Sequence, residues 1–281
     1  MTEASAGRHS LFASDSFPSE LEECLDRLIY GESNSAKILS LDIFDTLLLR
    51  DNSSEITRFF EVGEAMARLA TDYLGAAVTQ VDAFMARMLG TKATYRASPL
   101  VRGCREGSLT ELHRTASSLL IGSGALLDPF VEAELLNEKK RLTLNPFLHT
   151  YINRHRDRGG RVILITDMYM HAEQVAELLG MLGVSRDSYD GLLSSADTKV
   201  SKSSGGIFEM AEQEMDAPGE QFVHLGDSFR GDVARPLGHG WQALHLPISA
   251  ADTLERRKDH LTTAAMLKSE HSLELDIAMP N

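Results

Sequence analysis

The stretch KILSLDIFDTLL, residues 37–48, indicates the kind of fold to which the chain belongs. Residues 37–41 form a short apolar run that leads into Asp42. A continuous apolar run of this length is typical of a strand that is buried on both faces. We therefore predict a buried strand with Asp42 at its carboxyl end.

Strand-like and helix-like segments alternate after Asn145-Pro146. Further strands are predicted at 161–166 (RVILIT), 189–194 (YDGLLS), 221–225 (QFVHL) and 241–246 (WQALHL). Helices are predicted at 147–156, 171–182, 206–214 and 232–237. Because single helices separate the strands, this order predicts an α/β core with a doubly wound, Rossmann-like parallel sheet. Ligands of such sheets bind beyond the carboxyl ends of the strands.

The block from residue 53 to residue 145 has a different character. Alanine, leucine, methionine and glutamate dominate it, and the apolar residues follow helical spacing. Within the block, residues 91–107 (TKATYRASPLVRGCREG) interrupt the pattern and are predicted to form a loop. A block of about 90 residues has the size of a small domain. We therefore predict an inserted helical domain between the first two strands of the core.

These patterns predict four parts in the chain. An N-terminal leader and a helix occupy 1–36, the α/β core occupies 37–52 and 146–250, the helical insertion occupies 53–145, and a helical tail occupies 251–281. The leader itself covers residues 1–17 and lacks the apolar segment of a signal peptide.

Composition limits the classes of partner. The 281 residues contain 28 Lys and Arg against 41 Asp and Glu, a formal net charge of −13. Such a surface repels nucleic acid and anionic lipid, so we predict neither as a partner. No apolar run reaches the ~18 residues that a membrane span needs. Two cysteines, Cys24 and Cys104, cannot form a disulfide framework, which favours a reducing, cytoplasmic location. The oligomeric state stays open.

Polar side chains follow several of the predicted strands. Asp42 and Asp45 follow the first strand, Thr166-Asp167 follows the second, and GDSFRGD (226–232) follows the fourth. Lys202 precedes the helix at 206–214. Because parallel strands bring their carboxyl ends together, we expect these groups in one cleft. Carboxylates gathered there repel one another unless a cation joins them, and Mg²⁺ held by carboxylates and substrate phosphate oxygens would suit.

Four motifs carry a resemblance to a known family. LDIFDTLL, ILITDMYM, SKSSGGIF and VHLGDSFRGD resemble the successive motifs of the haloacid dehalogenase (HAD) superfamily, whose members are mostly phosphatases. The resemblance covers residues 37–248, and the helical block lies where the family has a helical cap. DIFDTLL together with TDMYM more narrowly resembles hydrolases that are found near bacterial surface-polysaccharide genes.

The resemblance implies a nucleophile and a metal site. Asp42 would attack phosphorus and form an aspartyl-phosphate that water then hydrolyses. Mg²⁺ would be held by Asp42, the backbone carbonyl of Phe44 and Asp227, with Asp232 as a further ligand or as an anchor behind the ligands. The expected activity is Mg²⁺-dependent hydrolysis of a small phosphate monoester, with sugar phosphates among the candidates.

The resemblance also implies groups that bind the transferring phosphoryl group. The Thr166 hydroxyl would bind its oxygens, and Lys202 would neutralise charge on it and on the nucleophile. Lys199 in the same loop competes with Lys202 for this role. Further candidates for substrate binding are Thr46, Asp167 and the basic side chains Arg96, Arg102 and Arg105. For the three arginines a solvated face is an equal alternative, and His224 is interpreted as a buried core histidine with its partners satisfied.

One position departs from the family pattern. Family phosphatases usually have a second aspartate two positions after the nucleophile as general acid and base, and this chain has Phe44 there. Asp45, one position later, is the candidate for the missing acid. Dehalogenases of the family have an aromatic residue at this place, so a 2-haloacid dehalogenase is one alternative. A phosphonatase, with Lys92 as its Schiff-base lysine, and a non-catalytic phosphate-binding or scaffold protein are the others.

Overall fold

The computed structural model describes residues 7–14, 16–31 and 37–275. These residues form two compact units. The α/β unit comprises the described residues up to Arg50 together with 100–106 and 142–249, and the helical unit comprises 51–99, 107–141 and the described residues from Ala250 onward. The helical unit thus contains most of the predicted insertion and the described part of the predicted tail, whereas 100–106 and 142–145 belong to the α/β unit.

The described residues form strands and helices that are numbered separately, each in chain order. The strands are β1 (Ile38–Asp42), β2 (Leu48–Arg50), β3 (Leu142–Leu144), β4 (Val162–Thr166), β5 (Gly191–Ser194), β6 (Phe222–Gly226) and β7 (Gln242–His245). The helices are α1 (Arg8–Phe12), α2 (Ser16–Tyr30), α3 (Glu55–Leu74), α4 (Gln80–Ala97), α5 (Leu109–Ile121), α6 (Leu127–Arg141), α7 (Pro146–Asp157), α8 (Ala172–Met181), α9 (Ser195–Thr198), α10 (Gly206–Glu214), α11 (Arg235–Gly238) and α12 (Ala250–His271). Short 3₁₀ turns lie at Arg186–Ser188 and Gly219–Gln221, and a π-helical turn lies at Phe229–Ala234.

The α/β unit is built on a five-stranded parallel sheet. Its order is β5-β4-β1-β6-β7, and each neighbouring pair is parallel. Every residue of β1, β4 and β6 is buried, which explains why these strands are continuous apolar runs. The predicted doubly wound α/β fold is confirmed. Since β1 lies between β4 and β6, Asp42, Thr166 and Gly226 end adjacent strands at the same edge.

A small second sheet was not anticipated from the sequence. Strands β2 and β3 pair antiparallel, with Leu48 opposite Leu144 and Arg50 opposite Leu142. The chain turns back directly after β1, because Asp45 N–H donates to Leu48 O at 2.7 Å and Asp45 has φ 62°. This reversal carries Arg50 back toward the carboxyl end of β1. Strands of three residues are too short to show a hydrophobic period.

Three local predictions differ from the structure. Helix α4 runs to Ala97, so the predicted loop at 91–107 is wrong over its first seven residues, which continue the helix through Thr91–Ala97. Lys, Ala and Arg are good helix formers and outweigh the two threonines there. The helix predicted at 232–237 begins earlier, in the π-helical turn. Residues 8–12, assigned to the leader, form α1, in which Phe12 is buried.

The helical unit packs around its own apolar core. Buried members include Val62, Met66 and Phe130. Helix α12 is tied to α3 by Asp259, whose Oδ2 accepts hydrogen bonds from Ser54 N–H at 2.8 Å and from the Thr57 hydroxyl at 2.6 Å. Among the described residues, no helix combines the length and the apolar character needed to cross a membrane.

A charged cluster lies inside the helical unit. The Arg87 guanidinium donates to both oxygens of Glu134, at 2.9 and 2.5 Å, and His113 Nε2 lies 2.8 Å from Glu134 Oε2. All three side chains are buried. Burial alone would raise the pKa of Glu134, but the Arg87 charge and the His113 hydrogen bond hold that pKa well below its usual range.

Candidate active site

A pocket of about 310 Å³ lies at the carboxyl ends of β1, β4 and β6, within the α/β unit. Every residue predicted from the sequence to be catalytic or to bind metal contributes to its wall. The lining residues are Asp42, Phe44, Asp45, Arg50, Thr166, Asp167, Met168, Lys202, Ser203, Asp227, Ser228, Gly231 and Asp232. The pocket is small and rich in carboxylates, which fits a small charged substrate.

Lys202 joins two carboxylates at the base of the pocket. Its Nζ donates to Asp42 Oδ1 at 2.5 Å and to Asp232 Oδ1 at 2.6 Å, and all three side chains are buried. Burial alone would lower the pKa of Lys202, but the two carboxylates raise it above its ordinary value. Lys202 is therefore a fixed cation beside Asp42. Lys199, its competitor in the sequence, does not line the pocket.

Three carboxylates form an all-oxygen cluster beside Lys202. One oxygen from each of Asp42, Asp227 and Asp232 lies within 4.8 Å of the others. Asp42 Oδ2 is buried and accepts no hydrogen bond. Burial raises the pKa of Asp227 well above its ordinary value, and repulsion from the neighbouring aspartates adds to this shift. A divalent cation that prefers oxygen ligands would relieve this repulsion and supply the partner that Asp42 Oδ2 lacks. The residues therefore fit a metal ion.

Asp232 is held from behind by a chain of buried polar groups. His224 Nε2 lies 3.0 Å from Asp232 Oδ1, and Ser228 N–H donates to Asp232 Oδ2 at 2.8 Å. Ser40 Oγ in turn lies 2.7 Å from His224 Nδ1. Burial would raise the pKa of Asp232, but Lys202 and His224 hold it well below its ordinary value. With both oxygens engaged, Asp232 is suited to anchor the cluster.

His224 is therefore a buried histidine with both ring nitrogens engaged, as expected from the sequence. One of its two partners, Asp232, belongs to the site. The sequence contained a signal for this contact. Ser40 and His224 are polar residues in two otherwise apolar strands, and they face each other in the β1–β6 register.

Asp167 fixes the loop that carries Lys202. Its Oδ1 accepts a hydrogen bond from Lys202 N–H at 2.6 Å, and its Oδ2 accepts one from Ser203 N–H at 3.2 Å. Burial raises the pKa of Asp167, although these two hydrogen bonds and the Lys202 charge oppose that shift. Asp167 was predicted to bind substrate. It does line the pocket, and its carboxylate also holds the Lys202 loop in place.

Arg50 is a pocket residue that the sequence analysis missed. Its Nη1 lies 3.4 Å from Asp45 Oδ2, and its guanidinium carbon lies 4.4 Å from the centre of the Phe44 ring. The side chain is only 9% exposed. The sequence signal was weak, since Arg50 simply ends an apolar run. Only the reversal at Asp45 brings it back over Phe44.

The remaining predicted substrate residues lie outside the pocket wall. Thr46 is buried, and its hydroxyl has no hydrogen-bond partner. Arg102 is half exposed and makes an ion pair of 2.6 Å with Glu209. Arg105 follows in the same segment of the α/β unit and does not line the pocket. Arg96 belongs to the helical unit, near the end of α4.

Several solved structures are similar to this chain. A 2-haloacid dehalogenase from Pseudomonas syringae pv. Tomato DC3000 has a TM-score of 0.51 at 16% identity, over 74% of this chain and 85% of that one. A HAD phosphatase from Thermococcus onnurineus has a TM-score of 0.47 at 18% identity, over 75% and 86%. The magnesium-bound putative HAD-hydrolase YfnB from Bacillus subtilis has 0.44 at 16% identity, over 75% and 88%.

Identities this low concern the fold alone. No curated protein sequence matches the chain significantly. The family profile of haloacid dehalogenase-like hydrolases, in contrast, matches residues 36–234, which include the whole parallel sheet up to β6 and all of the pocket residues. The chain therefore belongs to the haloacid dehalogenase-like hydrolases.

Proposed function

We propose that this hydrolase is a Mg²⁺-dependent phosphatase that cleaves small phosphate monoesters through an aspartyl-phosphate on Asp42. The observation that carries the proposal is the asymmetric environment of the Asp42 carboxylate. One oxygen accepts a hydrogen bond from Lys202, and the other is buried without a partner beside the cluster with Asp227 and Asp232. A carboxylate held between a fixed cation and a cation site is suited to nucleophilic attack on a charged phosphoryl group.

The pocket needs a metal ion if it is to accept phosphate. Five aspartates line it against Lys202 and Arg50, which gives a formal charge of 2 − 5 = −3. A phosphate dianion would be repelled unless further positive charge were present. We propose that Asp42, Asp227 and the Phe44 carbonyl hold Mg²⁺, with Asp232 as anchor. When bound, Mg²⁺ would neutralise phosphoryl charge and make phosphorus more electrophilic.

Different residues of the chain then act in the two chemical steps. In the first step an Asp42 oxygen attacks phosphorus, and the bond to the leaving oxygen breaks. Lys202 and the Thr166 hydroxyl stabilise the phosphoryl group while its charge shifts. In the second step water attacks the aspartyl-phosphate, the bond to Asp42 breaks, and inorganic phosphate is released. Asp45 lines the pocket as a carboxylate partner of Arg50 and is the candidate acceptor for the proton of that water.

The test is phosphate release from a panel of phosphorylated metabolites with Mg²⁺ and with EDTA. The panel includes sugar phosphates, because the narrower sequence resemblance is to hydrolases near surface-polysaccharide genes. We expect release that EDTA abolishes and that Asp42→Asn abolishes. Asp187→Asn is the matched control, since Asp187 is exposed and lies outside the pocket. Release that Asp42→Asn leaves unchanged would contradict the proposal. Thermal stabilisation by phosphate and Mg²⁺ without any product would instead favour a non-catalytic binding protein.

Phe44 favours a second candidate, a 2-haloacid dehalogenase. An aromatic ring lines the pocket where family phosphatases have their acid. Such an enzyme would release halide from a 2-haloacid without added metal, and EDTA would have no effect. The carboxylate cluster argues against it, because a reaction that needs no cation would leave the mutual repulsion of Asp42, Asp227 and Asp232 unrelieved.

A further inference from the structure

Arg50 covers the position from which a general acid is missing. Its guanidinium lies over the Phe44 ring and beside Asp45, and all three side chains line the pocket. Its position is fixed by the backbone, because Arg50 is the last residue of β2 and pairs with Leu142 of β3. The leaving-group side of the site therefore presents a fixed cation where a phosphatase with two aspartates presents a carboxyl group.

A guanidinium and a carboxyl group act differently on a departing oxygen. A carboxylic acid transfers a proton, so a strongly basic alkoxide leaves as a neutral alcohol. Arg keeps its protons at any ordinary pH and offers charge-assisted N–H donors instead. It therefore stabilises an oxyanion that leaves with its negative charge. Because Arg cannot protonate a strongly basic alkoxide, such a site suits leaving groups that can depart as anions.

Asp45 does not replace the missing acid in this arrangement. It forms an ion pair with Arg50, and an ion pair is made by the carboxylate form, which accepts protons. The two residues therefore suit different steps: Arg50 for charge on the leaving group, and Asp45 for the proton of the attacking water.

Building on the phosphatase function proposed above, we infer that Arg50 stabilises the leaving oxyanion. The substrate is then a phosphate monoester whose leaving group is a weakly basic oxyanion, such as an aryl or enol phosphate. An Asp42 oxygen forms the new bond to phosphorus, and the bond between phosphorus and the leaving oxygen breaks. That oxygen keeps the electron pair and the negative charge, which Arg50 balances, and takes a proton from water after release.

The test is a series of aryl phosphates that differ only in the acidity of the phenol, from 4-nitrophenyl phosphate to phenyl phosphate, together with glycerol phosphate as an alkyl ester. We measure kcat/KM with Mg²⁺ for the wild type, Arg50→Gln and Arg50→Lys. For the wild type we expect kcat/KM to fall as the phenol pKa rises. In Arg50→Gln the plot of log kcat/KM against the phenol pKa becomes steeper. The kcat/KM for phenyl phosphate falls about 100-fold, and that for 4-nitrophenyl phosphate falls less than roughly tenfold.

Controls separate this role from a merely structural one. Arg156→Gln removes the same charge from an arginine that pairs with Asp190 outside the pocket, and its slope should equal that of the wild type. Should Arg50→Gln not fold, Arg50→Lys keeps the charge but loses the planar donors, and its slope should still be steeper than that of the wild type.

Two results would overturn the inference while the phosphatase proposal stands. One is an equal loss by Arg50→Gln across the whole series, and the other is a wild type that cleaves glycerol phosphate as well as 4-nitrophenyl phosphate. The absence of metal-dependent phosphate release from every ester in the wild type would instead overturn the proposed function, and this inference with it.

Discussion

Lys202 Nζ lies 2.5 Å from Asp42 Oδ1 in a site where both residues are at most 5% exposed. At such burial the pair is stable only because each charge has an oppositely charged partner. Asp232 is a second carboxylate that accepts a hydrogen bond from Lys202. The lysine thus has two functions at once. It allows several carboxylates to share one small pocket, and in the proposed phosphatase reaction it would lower the electrostatic cost of bringing a phosphoryl group to Asp42.

The first prediction follows from this pair. Replacing Lys202 with Gln leaves Asp42 buried without its cation and Asp232 with only His224 and Ser228 as partners, so we expect a loss of about 3–5 kcal/mol of folding free energy at neutral pH. Phosphate release should also disappear. Urea denaturation measures the first effect. Lys199→Gln, in the same loop but outside the pocket wall, should change neither. A Lys202→Gln protein as stable as the wild type would show that the aspartates do not need this cation.

The carboxylate cluster predicts a stabilising metal effect. Mg²⁺ that binds the folded chain at 100 times its dissociation constant should add about 2.7 kcal/mol of stability and raise the Tm. Asp227→Asn should greatly reduce this rise, because one of the three clustered carboxylates is lost. Differential scanning calorimetry with Mg²⁺ and with EDTA measures it, and Asp187→Asn should respond like the wild type. An identical Tm with and without Mg²⁺ would contradict the proposed site.

Asp167 predicts a defect in turnover without loss of the fold. Asp167→Asn keeps one acceptor for Lys202 N–H but places an amide N–H₂ against Ser203 N–H, so the Lys202 loop loses an anchor. Anchors of this kind typically contribute 10- to 100-fold, so we expect kcat to fall by about that factor. The Tm in EDTA should change little. Unchanged kcat would show that the loop is held without Asp167, and a large rise in KM alone would support direct substrate binding by this side chain.

The geometry of parallel strands decides which residues of the site the sequence could predict. Asp42, Thr166 and Asp227 were predictable because each ends or directly follows a buried strand, and parallel strands end at one edge. Arg50 was not, because its position depends on the positive φ of Asp45 and on pairing with Leu142, more than 90 residues away. No hydrophobic period marks a contact of that kind.

The same limit applies to the helical unit. A change in composition revealed the insertion, but nothing in the sequence revealed its hydrogen bonds to the tail. Asp259 accepts from Ser54 across a separation of 205 residues. A charged helix that is exposed to solvent and a charged helix that binds the start of a distant helix have similar sequences. Only the folded chain distinguishes them.

His113 predicts that acid weakens the helical unit. Burial lowers the pKa of His113, so the folded chain keeps it neutral while the unfolded chain protonates it near pH 6.5. Its Nδ1 is buried without a hydrogen-bond partner, so a proton there would have no acceptor. Stability should therefore decrease as pH falls through about 6.5, and each unit of pKa lowering contributes about 1.4 kcal/mol.

Urea denaturation between pH 5 and pH 8 measures this dependence. His113→Gln should flatten the part of the curve just below pH 6.5, whereas His9→Gln, at an exposed position, should not. Glu134 adds a separate loss at lower pH, because its depressed pKa gives stability that is lost as pH falls below its unfolded value. Equal curves for His113→Gln and the wild type would mean that folding does not lower the pKa of His113.

The last prediction concerns the attachment of α12. Asp259 Oδ2 accepts hydrogen bonds from Ser54 N–H, from the Ser54 hydroxyl at 2.7 Å and from the Thr57 hydroxyl, so it satisfies donors at the start of α3. Burial would raise the pKa of Asp259, but these donors lower it, which indicates that the carboxylate form is the one bound. Asp259→Ala should cost about 1–3 kcal/mol of folding free energy.

Asp72→Ala is the matched control, because Asp72 lies at an exposed position of α3. Thermal and urea denaturation should separate the two variants, and a trypsin digestion should cut within α12 sooner in Asp259→Ala, since α12 carries several Lys and Arg residues. If Asp259→Ala were as stable and as protease-resistant as Asp72→Ala, other contacts, such as the pair of Thr57 and Thr263 hydroxyls at 2.6 Å, would hold α12 against α3, and Asp259 would be dispensable.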